Sequence, residues 1–303
     1  MSITGAAGEQ FAPTGGALVE MAPRPADRGV QARRATWYKQ PALMAGLIIM
    51  GIVVIAAIAA PLITFYNPIA QNLTDALQGP SAAHWLGTDQ FGRDTWTRLI
   101  YGARLDLRIA FIAVLFPFVL GTVLGSIAGY FGGWADTVIM RVVDVVVAFP
   151  FYVLLIALVF VLGQGARSIY IAITLVGWVS YARLVRAEIL VAKRQEYVLA
   201  AQSAGLSNTR IMGRHLLPNV ISQSIIYGMS DIVQDILAIV TLGYLGLGIP
   251  PPAAEWGSMI NGGQNFLTTH WELTTIPGIA VILVGLGLSL IGDGLADILR
   301  PGE

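Results

Sequence analysis

Six long apolar runs organise the chain: Ala42 to Phe65, Ile109 to Tyr130, Val142 to Leu162, Ile169 to Leu190, Val220 to Leu247, and Ile276 to Leu295. Each meets or approaches the roughly 20 apolar residues a helix needs to span a bilayer core. The pattern predicts an all-α polytopic membrane protein with six transmembrane helices. The first forty residues, rich in Gly, Ala, Pro and Arg, read instead as a disordered tail (1–40) ahead of a membrane domain over 41–303. No apolar core precedes Arg24 and the first apolar run is long, so that run is expected to be a retained anchor rather than a cleaved signal.

Composition agrees with this reading. Hydrophobic residues make up 55% of the 303 positions and charged residues 12%, with a mean hydropathy of +0.70; a soluble chain of this length needs more polar surface. The zero net charge argues against a nucleic-acid partner, which calls for a basic excess. Without cysteine there are no disulfides or thiolate metal sites.

Charge placement sets an expected topology. Arg24, Arg28, Arg33, Arg34 and Lys39 put the N-terminus in the cytoplasm, and six crossings return Arg300 to the same side. Arg183, Arg186, Lys193, Arg194, Arg210 and Arg214 then also fall inside. Arg93, Arg98, Arg104 and Arg108 run against the rule, lying in or beside the first external loop, partly offset by Asp89, Asp94 and Asp106. Within the runs, Pro117, Pro150 and the four-spaced Gly121, Gly125 and Gly129 have two readings. They allow close helix packing, or they are pivots between inward and outward states.

The polar island from Glu196 to Pro218 is the most informative segment. Helix-favouring residues fill Glu196 to Ala204, Gly205 stops the helix, and Ser207-Asn208 can cap a second helix near Thr209, with Pro218 before the fifth crossing. The expected shape is a short helix, a glycine turn and a second helix lying against the membrane. An ordinary amphipathic loop is the plainer alternative.

The spacing Ala200-Ala201-x3-Gly205-x9-His215-x-Leu217-Pro218 resembles the cytoplasmic loop by which ABC importer permeases grip their ATPase subunits. Further motifs narrow the resemblance to the C-type permease subunit of the dipeptide, oligopeptide and nickel importer family. They are His84-Trp85-Leu86-Gly87-Thr88-Asp89-Gln90-Phe91-Gly92-Arg93-Asp94, the stretch Gly129 to Asp144, Leu245-Gly246-Leu247-Gly248 with Glu255-Trp256-Gly257, and Gly292-Asp293-Gly294-Leu295-Ala296-Asp297 with Arg300-Pro301. The likeness covers about Gln40 to the end and implies a type I ABC importer permease fold in a bacterial or archaeal cytoplasmic membrane. It also implies a second permease, two cytoplasmic ATPases and an extracytoplasmic solute-binding protein as partners, with surrounding membrane lipid. In the coupling loop (196–218), the resemblance assigns ATPase contact to Glu196, Tyr197, Ala200, Ala201, Gly205, Arg210, Arg214, His215, Leu217 and Pro218. Two positions depart from the family pattern. Leu199 replaces its Glu and keeps an apolar contact, while Gln202 replaces a common basic residue and removes a charge pairing.

Asp231 and Asp235 also depart from the family's neutral or small residues. Their spacing puts both carboxylates on one helical face, and a carboxylate within a membrane span usually faces a bundle interior, a watery path or a partner. They are candidates for a translocation path that favours cationic groups, or for pairing with the partner permease. Asp89, Arg93 and Asp94 are candidates for an external gate or a binding-protein contact, or for local ion pairing around Gly87 and Gly92. His84, His215 and His270 lack ligand-like spacing and read as surface or capping residues. Asp293 and Asp297, with Arg300 nearby, read as marking the cytoplasmic interface.

A phosphate-binding loop needs Gly-Lys-Ser/Thr, but the two lysines, Lys39 and Lys193, follow Tyr38 and Ala192. The chain is therefore not expected to be an enzyme or to hold a cofactor; the family resemblance implies that ATP and Mg are bound by partner ATPase subunits. Short peptides are the expected solute, with nickel chelates or other small solutes as the alternative. An ion-coupled secondary transporter using Asp231 and Asp235 is the competing class.

Overall fold

The computed structural model describes residues 40–299. The N-terminal tail, Arg300 and Pro301 lie outside that range. Eleven α-helices are assigned among the described residues: α1 Pro41–Ile58, α2 Ala60–Ile63, α3 Thr95–Phe131, α4 Gly133–Val147, α5 Phe151–Leu162, α6 Ala166–Ala192, α7 Glu196–Ser203, α8 Asn208–Ile211, α9 Leu217–Tyr244, α10 Trp256–Gly263 and α11 Glu272–Leu299. Five helical spans are long and apolar enough to cross a membrane: α1, α3, α6, the continuous run Asn208–Tyr244 and α11. The sixth run differs from a straight crossing.

The run expected as one helix over Val142 to Leu162 is divided into α4 and α5, which meet at 89°. Pro150 explains the break. It lacks an N–H, and its ring disfavours helical geometry at Phe149; Pro150 itself is extended, at φ −60° and ψ 132°. With 12 residues, α5 reaches only about 18 Å at ~1.5 Å per residue, short of a ~30 Å core. Pro117, by contrast, interrupts nothing. It sits buried inside the 37-residue α3, and the bare backbone of Gly177 on α6 accommodates it; a Cβ there would lie 3.2 Å from the proline.

In the bundle, α1 packs along α11, and α9 lies between α3, α6 and α11. The core they enclose holds Ile109, Ala110, Leu155, Ile173, Tyr181, Ile236, Ile239 and Leu242. Apolar side chains such as Ile52, Ile55, Phe160, Val161 and Ile282 point outward, as expected where the surrounding medium is hydrocarbon.

The tightest seam joins α3 to α6 and decides between the two readings of the glycine series in this structure. A Cβ on Gly121 would fall 2.5 Å from the Tyr181 Cβ, one on Gly125 2.5 Å from the Ala182 carbonyl oxygen, and one on Gly129 2.9 Å from the Ile189 Cβ. The three glycines are packing surfaces in this conformation. Overpacking of this kind costs roughly 1–3 kcal/mol. Gly51 in α1 is a matched control, since nothing lies within 4 Å of its Cβ position, and alanine there gains helix propensity of roughly 1 kcal/mol. Gly125→Ala is expected to lower the detergent-solubilised melting temperature, and Gly51→Ala to leave it unchanged or raise it. Equal shifts would refute the seam.

Candidate functional site

The loop between α6 and α9 is built as a small rigid peg. Residues 196–203 form α7, whose Val198 and Ala201 face inward against Val185 and Ile189 of α6 and Ile211, Leu216 and Val220 beyond. The helix closes with a pair of backbone bonds, Gly205 N–H to the Gln202 carbonyl at 2.9 Å and Leu206 N–H to the Ala201 carbonyl at 3.2 Å. This is the Schellman closure, and it requires a left-handed residue that glycine supplies at least cost; Gly205 has φ +75°. Leu206 then packs on the same cluster.

The second half of the loop differs from the expected second helix. Residues 208–244 run as one continuous helix, so α8 is the first turn of the span and not a separate element against the membrane. Ser207 occupies the N-cap position without a capping bond; its hydroxyl lies 3.4 Å from that of Thr209. Between α8 and α9, Met212–Leu216 form a π turn. Pro218 accounts for it: lacking an N–H, it cannot bond the Arg214 carbonyl, and a wider turn absorbs the loss.

Of the loop residues singled out from sequence, Glu196, Tyr197, Ala200, Gly205, Arg210, Arg214 and Pro218 are exposed, His215 and Leu217 are half-buried, and Ala201 is buried. Leu199, 49% exposed, joins Tyr197, 42% exposed, on the outer face. Ala201 is therefore an anchor rather than a contact surface. The Asn219 amide donates to the His215 carbonyl at 2.8 Å, tying the π turn to α9.

Three polar links lie where the glycine seam ends, one reaching the peg at Asn208, one reaching the end of α6 at Lys193 and one joining α6 to α4. The Tyr130 hydroxyl donates to Asn208 Oδ1 at 2.9 Å, Lys193 Nζ donates to the Gly129 carbonyl at 2.8 Å, and Arg186 forks onto Asp136 at 2.5 and 2.7 Å. The fork places α4 on α6 with bidentate geometry. Tyr130, Lys193, Arg194, Leu199, Gln202 and Asn208 border an open groove of about 530 Å³ beside α7. Asp136 and Tyr130 had no individual signal in the sequence beyond the motif containing them.

At the opposite end of α3, Asp89, Arg93 and Asp94 are buried. One Asp89 oxygen accepts the backbone N–H groups of Phe91 and Arg93 at 2.9 and 3.0 Å, and the other meets Arg93 Nε at 2.7 Å and Arg98 Nε at 3.4 Å. Asp94 caps α3 through the Thr97 N–H at 2.7 Å and meets His84 Nδ1 at 2.9 Å. His84, read from sequence as a surface or capping residue, is thus a buried partner. Gly87 and Gly92 make the turns at φ +71° and +69°. These side chains are turned inward on one another. Arg98 extends the tie across the fold, donating to the carbonyls of Pro68 at 2.7 Å and Pro252 at 3.4 Å.

Two buried carboxylates, Asp106 and Glu255, have roles that the sequence reading did not assign. Asp106 accepts the Trp256 backbone N–H at 3.0 Å, and Trp256 Nε1 donates to the Leu99 carbonyl at 3.0 Å. Fully buried Glu255 caps α10 by accepting from Gly257 N–H at 2.6 Å and Ser258 N–H at 2.8 Å. Burial pushes the Glu255 carboxyl up to about 7, the two capping bonds offsetting only part of the effect. The available signal was its place just before Trp-Gly at a helix start, an N-cap position.

Asp231 and Asp235 share one face of α9, and both lie near Tyr181. Asp235 is 2% exposed, and one of its oxygens has no hydrogen-bond partner, whereas the Tyr181 hydroxyl faces the Asp231 carboxylate. Tyr181 is wedged edge-on between Phe118 and Tyr227, with centroids 5.6 and 4.9 Å away. In this conformation Asp235 is enclosed by the bundle and Asp231 is half-buried. His270 meets Glu272 at 3.2 Å, and Asp293 and Asp297 are exposed on α11.

A bundle of long apolar helices with a compact, outward-facing loop defines a polytopic membrane protein. Residues 121–302 match the model of the binding-protein-dependent transport system inner membrane component, and residues 31–80 match the N-terminal transmembrane domain of oligopeptide transport permease C. The chain is 41% identical over 263 residues to the dipeptide transport system permease protein DppC of Alkalihalophilus pseudofirmus, covering 87% of this chain and 86% of the relative. It is 38% identical to the oligopeptide transport system permease protein OppC of Bacillus subtilis, covering 85% of each. The chain belongs to the family of binding-protein-dependent transport inner-membrane components. It is a multi-pass transporter component of the inner membrane, not an enzyme.

The raised Glu255 carboxyl carries a pH signature. The folded state holds this proton more tightly than the unfolded state, so the associated stability is complete below the unfolded value near 4.5 and is lost as pH rises through about 7. The loss is at most about 3 kcal/mol. Glu255→Gln is expected to flatten the fall in melting temperature between these pH values; an unchanged slope would place its source elsewhere.

Proposed function

We propose that this chain is a permease subunit of an ATP-driven ABC importer of short peptides. It pairs with a second, non-identical permease, receives solute from an extracytoplasmic binding protein, and is driven by two cytoplasmic ATPases that hold the ATP and Mg. Its N- and C-termini face the cytoplasm, and the domain from 41 to 303 forms half of the translocation path. The names of the dipeptide and oligopeptide relatives support the solute class.

The observation that carries the proposal is the division of labour within α7. Its inner face is fixed by Val198 and Ala201, while Tyr197, Leu199 and Ala200 are exposed and meet the ATPase. Closure of the ATPases moves α7 as a body, because the Gly205 closure leaves it no slack, and the motion enters α6 through Val185 and Ile189 and α9 through the continuous helix. Gly205, Arg210, Arg214, His215, Leu217 and Pro218 act by holding this geometry or by bordering the contact. Ala200→Asp puts a charge on the outer face with the anchor intact. In reconstituted transporter it is expected to reduce solute-stimulated ATP hydrolysis and uptake at least about tenfold, the size of a lost buried contact, with an unchanged melting temperature. Full transport by this variant would end the proposal.

Asp231 and Asp235 contribute to selectivity when the bundle opens: the partnerless Asp235 oxygen becomes available to an ammonium or guanidinium group. Replacing both with Asn is expected to lower uptake of cationic peptides several-fold more than that of neutral peptides of equal length. Equal losses would assign the pair to structure.

A further inference from the structure

A groove of about 470 Å³ runs between α1, α3, α9 and α11, within the roughly 300–1,000 Å³ typical of ligand sites. Its walls are apolar, including Val54 and Ile58 of α1, Phe111 of α3, Met229 of α9 and Leu288 of α11. At one end stand Arg104 and Arg108, one turn apart on α3 and both exposed. Neither belongs to any ion pair among the described residues. Asp106, the acid between them, is turned away and bonded to the Trp256 backbone.

The level of the arginines along α3 matters. From Ile109 to Phe131 the helix carries no charged residue, so Arg104 and Arg108 mark the place where α3 leaves hydrocarbon for the headgroup layer. At that level an arginine can lay its aliphatic stem on apolar surface and keep its guanidinium at the interface. We propose that this groove is a binding site for an anionic phospholipid, its headgroup phosphate held by Arg104 and Arg108 and an acyl chain laid along Phe111, Met229 and Leu288. Charge complementarity selects this occupant. Guanidiniums bind phosphate in a fork, and two without an acidic partner favour a lipid of net negative charge over a zwitterion.

The test uses the assembled transporter purified in mild detergent, with retained lipid read by native mass spectrometry after exposure to equal amounts of phosphatidylglycerol and phosphatidylcholine. The wild type is expected to retain phosphatidylglycerol preferentially. Arg104→Gln with Arg108→Gln is expected to reduce that preference about 30-fold, the size of two cationic contacts at a lipid surface. Val54→Trp, which fills the groove from an exposed position with the arginines intact, is expected to reduce total lipid retained. Retention in the mixing ratio by the wild type would overturn the proposal, as would an arginine double variant that releases the second permease instead of lipid. Full retention by Val54→Trp would also overturn it, reducing the site to a charged patch without a chain groove.

Discussion

The rest of the structure hangs on the close approach of α3 and α6. Hydrocarbon offers no hydrophobic force to drive two helices together, so their attraction comes from backbone and side-chain surfaces meeting over a long, fine-grained contact. Gly121, Gly125 and Gly129 make that contact possible by removing every Cβ that would meet the Ala182 backbone, Tyr181 or Ile189. Both ends of the molecule are then referenced to the seam. At one end Arg98, Leu99 and Asp106 of α3 hold the loops around Pro68, Pro252 and Trp256. At the other, Gly129 and Tyr130 hold Lys193 and Asn208 around the peg.

The two ends are held by different physics. The loop end uses buried charges that satisfy one another, with Asp89 bridging Arg93 and Arg98 and Asp94 both capping α3 and meeting His84. Removing one member of such a buried set strands its partner, at a cost of roughly 3–5 kcal/mol, so this end resists local change. The peg end is fastened by hydrogen bonds from half-buried or exposed groups, each worth about 1 kcal/mol net, over a modest apolar cluster. Loss of any one of these links costs less than loss of a buried charge at the loop end, and the apolar cluster under α7 keeps the peg in place.

Where hydrophobic length alone decides an outcome, the chain was readable. Runs of 20 or more residues became the helices of α1, α3, α6, α9 and α11, and Gly205 ended α7 where its conformational freedom is needed. The reading fell short where one backbone group decides geometry. Pro150 and Pro117 look alike in sequence, yet one turns the chain by 89° and the other sits inside a straight-through helix opposite Gly177. The difference lies in a neighbour 60 positions away. Pairings such as Arg186 with Asp136 and Trp256 with Asp106 were invisible for the same reason: each residue's role is set by a partner on another helix, and a single sequence carries no record of which helices touch.

The π turn at Met212–Leu216 connects these points. A regular α-helix entering α9 would stall at Pro218, whose missing N–H leaves the Arg214 carbonyl without its ordinary partner. Breaking there would have made the peg a separate, hinged piece. The wider turn keeps residues 208–244 in one piece instead, and the Asn219 amide fastens the His215 carbonyl across it. In the proposed importer, displacement of α7 therefore reaches the face bearing Asp231 and Asp235 along a single stiff element.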